Sequence, residues 1–274
     1  KEHEGLIIST SCHGMEMARA ACAAAWSAGA KHVEVILNDD VLTLNRYRYA
    51  ADFVFDSYPE WKVRNLIAMY EEGFHHLFIN SPDPELLKDI PSSLVSRDQK
   101  VSSLAVAPAQ KYRMTGQTKW TIVAVPSPAW AKKVFPGLSE EDAVNALWDK
   151  IFEAVRITSD DPVKAWKEHD RKLKEYLAFL NSAGFAGLRL KGPGTDLDVG
   201  LADGHLWIGG SKKSLAGDPF IANIPTEEVF TTPHRLKVNG TLRATKPLSL
   251  NGRIVDGFGF EFRDGRVTDH YADK

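Results

Sequence analysis

Cysteine is scarce in this sequence, which has only Cys12 and Cys22. Two thiols near one end exclude a disulfide framework and read as free, buried or half-buried side chains in a reducing cytoplasm, where a thiol behaves as a small apolar group. A zinc site built on them would need further ligands, and none is suitably spaced nearby. Charge of one sign is also lacking: a formal net charge of -2 and a pI near 6.5 give no electrostatic reason to expect nucleic acid or an anionic membrane as partner. Long apolar runs are missing. The longest apolar helix candidate, "MARAACAAAWSAGA", is too short to span a bilayer, contains Arg19 and follows a strand rather than a basic leader, so it reads as a packed helix. No stretch matches the dinucleotide fingerprint, the Walker loop or the "HExxH" zinc pair.

What is present is an ordinary globular composition, 43% hydrophobic and 26% charged over 274 residues, enough for two domains of typical size. "LIIST", "GMEMARAACAAAWSAGA" and "HVEVIL" read as strand, helix and strand, with Gly29 placed to end the helix. "HHLFINS" and "WTIVAVPS" repeat the short apolar strand signal, with His75 and His76 set ahead of the first. Helical stretches at about 59–72 and 94–114 separate these strands, as an open parallel sheet requires. From 139 to 183 the pattern is helical. Ser139 and Asp142 form a capping-box pattern; Ser159, Asp160 or Asp161 can cap a second helix with Pro162 in its first turn and Gly184 as its stop. In that helix Val163, Trp166, Leu173, Leu177 and Leu180 recur at helical spacing, leaving Lys167, Arg171 and Lys174 for a solvated face.

After Gly187 short alternating strands broken by Gly, Asn and Asp-Gly turns take over, the clearest hairpin being at Asp264-Gly265. The expected organisation is an α/β amino-terminal domain over 1–185, a mostly parallel sheet with flanking helices, then a β-rich (α+β) region over 186–274, with the boundary near 183–187. The chain does not begin with Met, opens directly into "GLIISTS", a strand suited to the interior of a sheet, and ends on the charged hairpin "RDGRVTDHYADK". A fragment of a longer protein is therefore expected.

One stretch stands out chemically. In "NIPTEEVFTTPH" two adjacent carboxylates, Glu227 and Glu228, interrupt a β-branched and apolar run between Pro225 and Pro233. In a strand, neighbouring side chains point to opposite faces, so one acid is expected inward beside Val229 or Phe230, where it must be neutralised, paired or bound to a metal. Other constellations are weaker. "KGPGTDLDVG" leads into a strand rather than a helix and reads as a tight turn instead of a phosphate loop. Asp196 and Asp198 share one face of a strand and read as outward polar residues rather than a paired-carboxylate site. His13 with Glu16, His75 with His76, and His205 and His234 lack ligand spacing and read as structural or solvated.

Taken together, "GLADGHLWIGG", "ANIPTEEVFTTPH" and "VNGTLRATKPLSLNGRIVDGFGFEFRDGRV" closely resemble the start of the catalytic domain of the aminopeptidase T and aminopeptidase S family of thermophilic-type metallopeptidases. "SAGAKHVEVILNDD" and "YPEW" are similar to that family's amino-terminal domain, so the likeness covers essentially the whole chain. The resemblance implies a cytoplasmic homodimeric exopeptidase that removes amino-terminal residues from peptides with two divalent ions, Zn, Co, Mn or Mg. It implies Glu228 as a metal ligand and Glu227 as its outward neighbour or the general base. Family members draw their remaining ligands, a Glu, two His, an Asp and a Tyr, from sequence that would follow Lys274. Asp269 and His270 do not match those positions, so the chain alone is expected to be catalytically incomplete. The rival readings are a non-catalytic dimerisation or binding scaffold and a nucleotide site at the first domain's strand ends; the missing glycine fingerprint after "LIISTS" argues against the latter.

Overall fold

The computed structural model describes residues 3–273. Its backbone packs into two compact units, one of residues 1–160 with 211–226 and the other of residues 161–210 with 227–274. In the first unit β1 (Gly5–Ser11) leads through a 3-10 turn (Cys12–Gly14) and α1 (Met15–Ser27) to β2 (His32–Asn38). Then follow α2 (Asp40–Tyr49), α3 (Glu60–Glu71), β3 (Phe74–Asn80), α4 (Ser92–Met114), β4 (Trp120–Ala124), α5 (Pro128–Val134) and α6 (Glu140–Ala154). The four strands form a parallel sheet in the order β2-β1-β3-β4, with β1 interior.

The alternation of side chains along β1 builds both faces of this sheet. Ile7, fully buried, packs with Val63 and Tyr70 of α3, Phe74 of β3 and Ala109 of α4; its neighbour Ile8 points the other way, to Ala18 of α1, Ile79 and Val125. Truncating either isoleucine to alanine removes buried methylenes at a cost of roughly 2–5 kcal/mol. Local signals close the elements as the residues suggest. Gly29 takes a left-handed φ of 83° after α1. At α6, Ser139 Oγ accepts from Asp142 N at 3.1 Å and donates to the Asp142 carboxylate at 2.6 Å. The first turn of α2 is capped by Asp39, whose carboxylate accepts from Leu42 N at 2.8 Å. Arg46 of α2 makes a two-pronged ion pair with Asp98 of α4, each contact 2.7 Å, and Tyr47 donates to the same carboxylate.

His75 and His76 lie inside β3 rather than ahead of it. Gly73, with φ 81°, ends the turn after α3, and pairing begins at once with Gly5 opposite Phe74, so both histidines are in the ladder. His76 is buried, and its ring nitrogens are both engaged: Nε2 lies 2.8 Å from Ser9 Oγ and Nδ1 2.7 Å from Tyr70 OH. The two cysteines are free, but Cys12 is exposed instead of half-buried; its Sγ donates to Asp39 Oδ2 at 3.1 Å just beyond the end of β1.

The chain continues in the second unit with α7 (Pro162–Ala183), β5 (Gly187–Gly192), β6 (Thr195–Leu201) and β7 (Ile208–Gly209). It contributes the short hairpin β8 (Lys212–Lys213) and β9 (Pro219–Phe220) to the first unit, then completes the second with β10 (Val229–Phe230), β11 (Pro233–Arg243), β12 (Leu248–Leu250), β13 (Arg253–Val255), β14 (Gly259–Arg263) and β15 (Arg266–Tyr271). The antiparallel sheet runs β15-β14-β11-β6-β5. "KGPGTDLDVG" is a hairpin: Gly192 pairs with Thr195, and Gly194 takes φ 74° in the two-residue turn. Asp264 and Gly265, at φ 49° and 75°, turn β14 into β15 as anticipated. Asp196 and Asp198 face outward, where Arg189 on β5 reaches both, at 2.9 and 3.7 Å, while Leu197 between them is buried. Lys274, the last residue of the carboxyl-terminal stretch "RVTDHYADK", lies outside the described residues.

The two compact units divide at Asp160 and Asp161, and α7 packs on β7 and β10 of its own unit. Residues 211–226 belong to the first unit for a similar reason. Ile122 of β4 donates to Ala222 O and accepts from Ile224 N, both at 2.9 Å, and Lys119 pairs with Glu4 and Asp218 at 2.8 and 3.5 Å. The segment therefore extends the open edge of β4 and satisfies its backbone groups. Among the described residues no helix is long and apolar enough to cross a membrane.

Burial pushes the His76 imidazole down to about 3, and the positive charge of Arg113 adds to the shift. Between that value and the ordinary 6.5 the unfolded chain binds a proton that the folded chain does not. Stability is accordingly full above the ordinary value and falls as pH drops, by up to about 1.4 kcal/mol per pH unit from this one group. Urea denaturation at a series of pH values from neutral down to about 4 should show this slope, and His76→Gln should flatten it; parallel curves for the two proteins would refute the assignment.

Candidate functional site

Glu227 and Glu228 sit immediately before β10, outside any strand, and both are exposed. The expected inward carboxylate is therefore absent. The ladder that reaches this stretch is only two residues long, Val229 opposite Gly209 and Phe230 opposite Ile208, so strand alternation does not extend back to the acids. What determines their position is instead a chain of contacts that starts on α7.

The packed stripe of α7 consists of Trp166, His169, Asp170, Leu173, Leu177 and Leu180, with Leu173 fully buried. Val163, expected on that stripe, is 64% exposed. Asp161 proves to be the cap, accepting from Lys164 N at 2.9 Å, and Val163 lies in the first turn ahead of the covered part of the helix. Arg171 and Lys174 face outward as anticipated, paired along the helix with Glu168, Glu175 and Asp170. Near the far end of the helix Asn181 receives Trp207 N on its Oδ1 at 2.8 Å and donates from Nδ2 to Trp207 O at 3.1 Å. One side chain thus completes both backbone bonds of a residue that no strand partners.

Trp207 leads straight into β7, and there the backbone of the acidic stretch comes close. A Cβ on Gly209 would stand 2.5 Å from Glu228 O, and one on Gly210, at φ 61°, would stand 2.5 Å from Asp170 Oδ1. These two glycines let the Glu228 backbone and α7 approach β7. Further on, Thr231 Oγ1 donates to Leu206 O at 2.8 Å, and Ala202 N donates to Thr232 O at 3.1 Å. The stretch is consequently held by backbone contacts at both ends of its two-residue ladder.

The two carboxylates differ in their surroundings. Glu227 Oε2 lies 3.3 Å from His169 Nε2, and His169 is itself largely covered. Among the described residues no ion pair or hydrogen bond engages the Glu228 carboxylate. As a donor set, Glu228 offers hard oxygen ligands of the type divalent ions take. Among the described residues no three His, Cys, Asp or Glu side chains gather closely enough to hold a metal ion, so this stretch does not by itself form a complete centre. The remaining histidines and acids do not join it: Asp269 and His270 are exposed on β15, and His205 turns its Nδ1 to Ala202 O at 2.9 Å.

His169, Asn181 and Gly209 were not singled out from sequence. For His169 a signal existed, since a histidine on the apolar stripe of an amphipathic helix marks a covered polar contact; Asn181 is exposed near the helix end and gave none. Gly209 carried none, because its closeness to Glu228 O depends on pairing with a strand twenty residues on.

A sequence model of the family described as thermophilic metalloprotease (M29) matches residues 1–274. The chain is 39% identical over 269 residues to Aminopeptidase 2 of Geobacillus stearothermophilus, a match covering 98% of this chain and 65% of that protein. It is 40% identical over 269 residues to Aminopeptidase T of Thermus thermophilus, covering 98% and 66% respectively. The solved structure titled wild-type AmpT from Thermus thermophilus superposes with a TM-score of 0.92 at 38% identity, over 100% of this chain and 68% of that one. The chain spans about two thirds of the length of the curated relatives it matches.

If the contacts from α7 hold the acidic stretch, Asn181→Ala should lower stability by roughly 1–3 kcal/mol, because it strands two backbone groups of a buried residue. Gly209→Ala should cost a similar amount through its clash with Glu228 O. Equilibrium unfolding of the two variants measures both, and midpoints unchanged from the parent would disprove the arrangement.

Proposed function

The chain belongs to the thermophilic metalloprotease (M29) family, and from that premise we propose that the whole protein is a metal-dependent aminopeptidase that removes amino-terminal residues from peptides. In this reading residues 1–185 form an amino-terminal α/β domain and residues 186–274 open the catalytic domain. The protein works in the cytoplasm as a homodimer with two divalent ions drawn from Zn, Co, Mn and Mg.

The observation that carries the proposal within this chain is the state of Glu228: an exposed carboxylate with no ion pair or hydrogen bond among the described residues, on a backbone held by the β7 pairing and the close approach of Gly209. A ligand fixed in advance loses little freedom when it binds, which is the condition for a tight and well-shaped centre. In the proposal Glu228 is the metal ligand. When bound, such ions supply an acidified water and stabilisation of the oxyanion formed on the peptide carbonyl. Glu227 would serve as general base toward the attacking water or as the neighbour that shapes the site. His169, 3.3 Å from its Oε2, restricts the directions in which its carboxylate points. The near-neutral net charge of the chain suits peptide substrates, which need no basic surface.

The test is hydrolysis of a panel of aminoacyl chromogenic amides by the full-length protein, metal-free and with Zn, Co or Mn restored. Glu228→Gln should abolish metal-dependent turnover while leaving the fold intact. Glu227→Gln should lower kcat by about 10²–10⁴-fold if this acid is the general base. His169→Ala should lower it by roughly 10–100-fold, as loss of an orienting partner does. Absence of hydrolysis with every metal would exclude the peptidase and favour a non-catalytic dimerisation or binding scaffold, the reading that fits the lack of a three-ligand cluster among the described residues.

A further inference from the structure

A pocket of about 330 Å³ lies at the carboxyl ends of β1 and β3 in the first unit. Its place follows from topology. From β1 the chain passes through α1 to β2 on one side, whereas β3 lies on the other side of β1. Ala18 of α1 packs on Ile8, and Val63 and Tyr70 of α3 pack on Ile7, so the two helices cover opposite faces. Between β1 and β3 the strand order reverses, and in open α/β sheets the crevice beyond the strand ends at such a point receives ligands.

The lining specifies a chemistry. Among its lining residues, Ser9, Thr10 and Ser11 at the end of β1 and Ser81 just past β3 carry hydroxyls. Those of Ser11 and Ser81 are buried without a hydrogen-bond partner, and Ser81 is only 6% exposed. Buried hydroxyls are almost always paired, so two unpaired ones beside a single pocket are unusual for a purely structural surface. Ser9 Oγ is oriented by His76 Nε2 at 2.8 Å, and the buried imidazole behind it is uncharged at neutral pH. Asn38 and Asn80 add two carboxamides at the rim that, among the described residues, make no side-chain hydrogen bond, while Phe78, Ile79 and Pro82 are the apolar part of the lining. No formally charged side chain lines the pocket. Asp39 and Asp40 follow Asn38 directly, and Asp40 is held above the usual carboxylate range, first by burial and then by Asp83. With no cationic side chain in its lining, the pocket has nothing to balance an anion such as phosphate.

We propose that this pocket binds a small uncharged ligand whose hydroxyl or carboxamide groups both donate and accept hydrogen bonds. The volume, about that of ten liquid waters, suits a monosaccharide or a blocked amino-acid amide, and the lining groups match either because each can give and take a proton. The site is independent of the peptidase reading and needs no metal.

Saturation-transfer NMR on the full-length protein tests this with glucose, N-acetylglycinamide and inorganic phosphate as probes at millimolar concentration. Transfer to glucose assigns a carbohydrate-type ligand, and transfer to the amide assigns a peptide-type one. In either case Asn80→Leu, which fills the exposed mouth, should weaken binding about tenfold or more. Ser81→Ala should also weaken it while leaving the melting temperature unchanged or higher, because it removes an unpaired buried hydroxyl; a merely structural serine would not separate these two readouts. Absence of transfer to both neutral probes, transfer that persists in both variants, or binding of phosphate in their place would overturn the proposal.

Discussion

The two hydrogen bonds between the Asn181 carboxamide and the backbone of Trp207 are the contact on which the candidate site depends. A strand of two residues such as β7 cannot hold itself in place, since each end has unmade backbone bonds and little area to bury. Asn181 supplies at one end what a longer ladder would have supplied. Because Trp207 is fixed, Ile208 and Gly209 can pair with Val229 and Phe230, and because Gly209 has no side chain, Glu228 lies against it. The helix that provides the amide also provides His169, so both neighbouring acids take their places from α7.

The two adjacent acids have different surroundings. Glu227 is tied to a largely covered histidine, and Glu228 is left with both oxygens available. Were the pair in a regular strand, one would be forced toward the apolar side and would carry a desolvation cost that only a permanently bound partner could offset. Lying before a short ladder instead, neither acid is buried.

The first unit resolves its polar residues differently. His76 lies in the middle of a parallel strand, where most residues are apolar, and it is tolerated because Ser9 and Tyr70 satisfy both ring nitrogens. The same strand ends bring serines and asparagines together at the crevice between β1 and β3. Distant sequence completes this unit as well, since residues 211–226 cover the edge of β4 through Ile122. An open edge of a parallel sheet leaves amides and carbonyls unpaired, and any extended segment able to reach it is stabilised there.

The sequence by itself determined the local elements and their class. Alternation in "GLIISTS", the helical period of "AWKEHDRKLKEYLAFL", the caps at Ser139 and Asp161 and the Asp264-Gly265 turn act through residues a few positions apart, so their physics is present in any short window. The acidic pair was legible too, as an anomaly in an apolar run and as part of a family resemblance. Only the tertiary structure decided that the acids lie outside a strand, that His169 partners one of them, that α7 packs with the β-rich unit and that 211–226 packs with the other. Those outcomes depend on pairing between residues tens of positions apart, such as Gly209 with Val229 and Ile122 with Ala222. Which distant backbone groups meet is settled by the competition of all segments for the same edges and core, and no local window contains that competition.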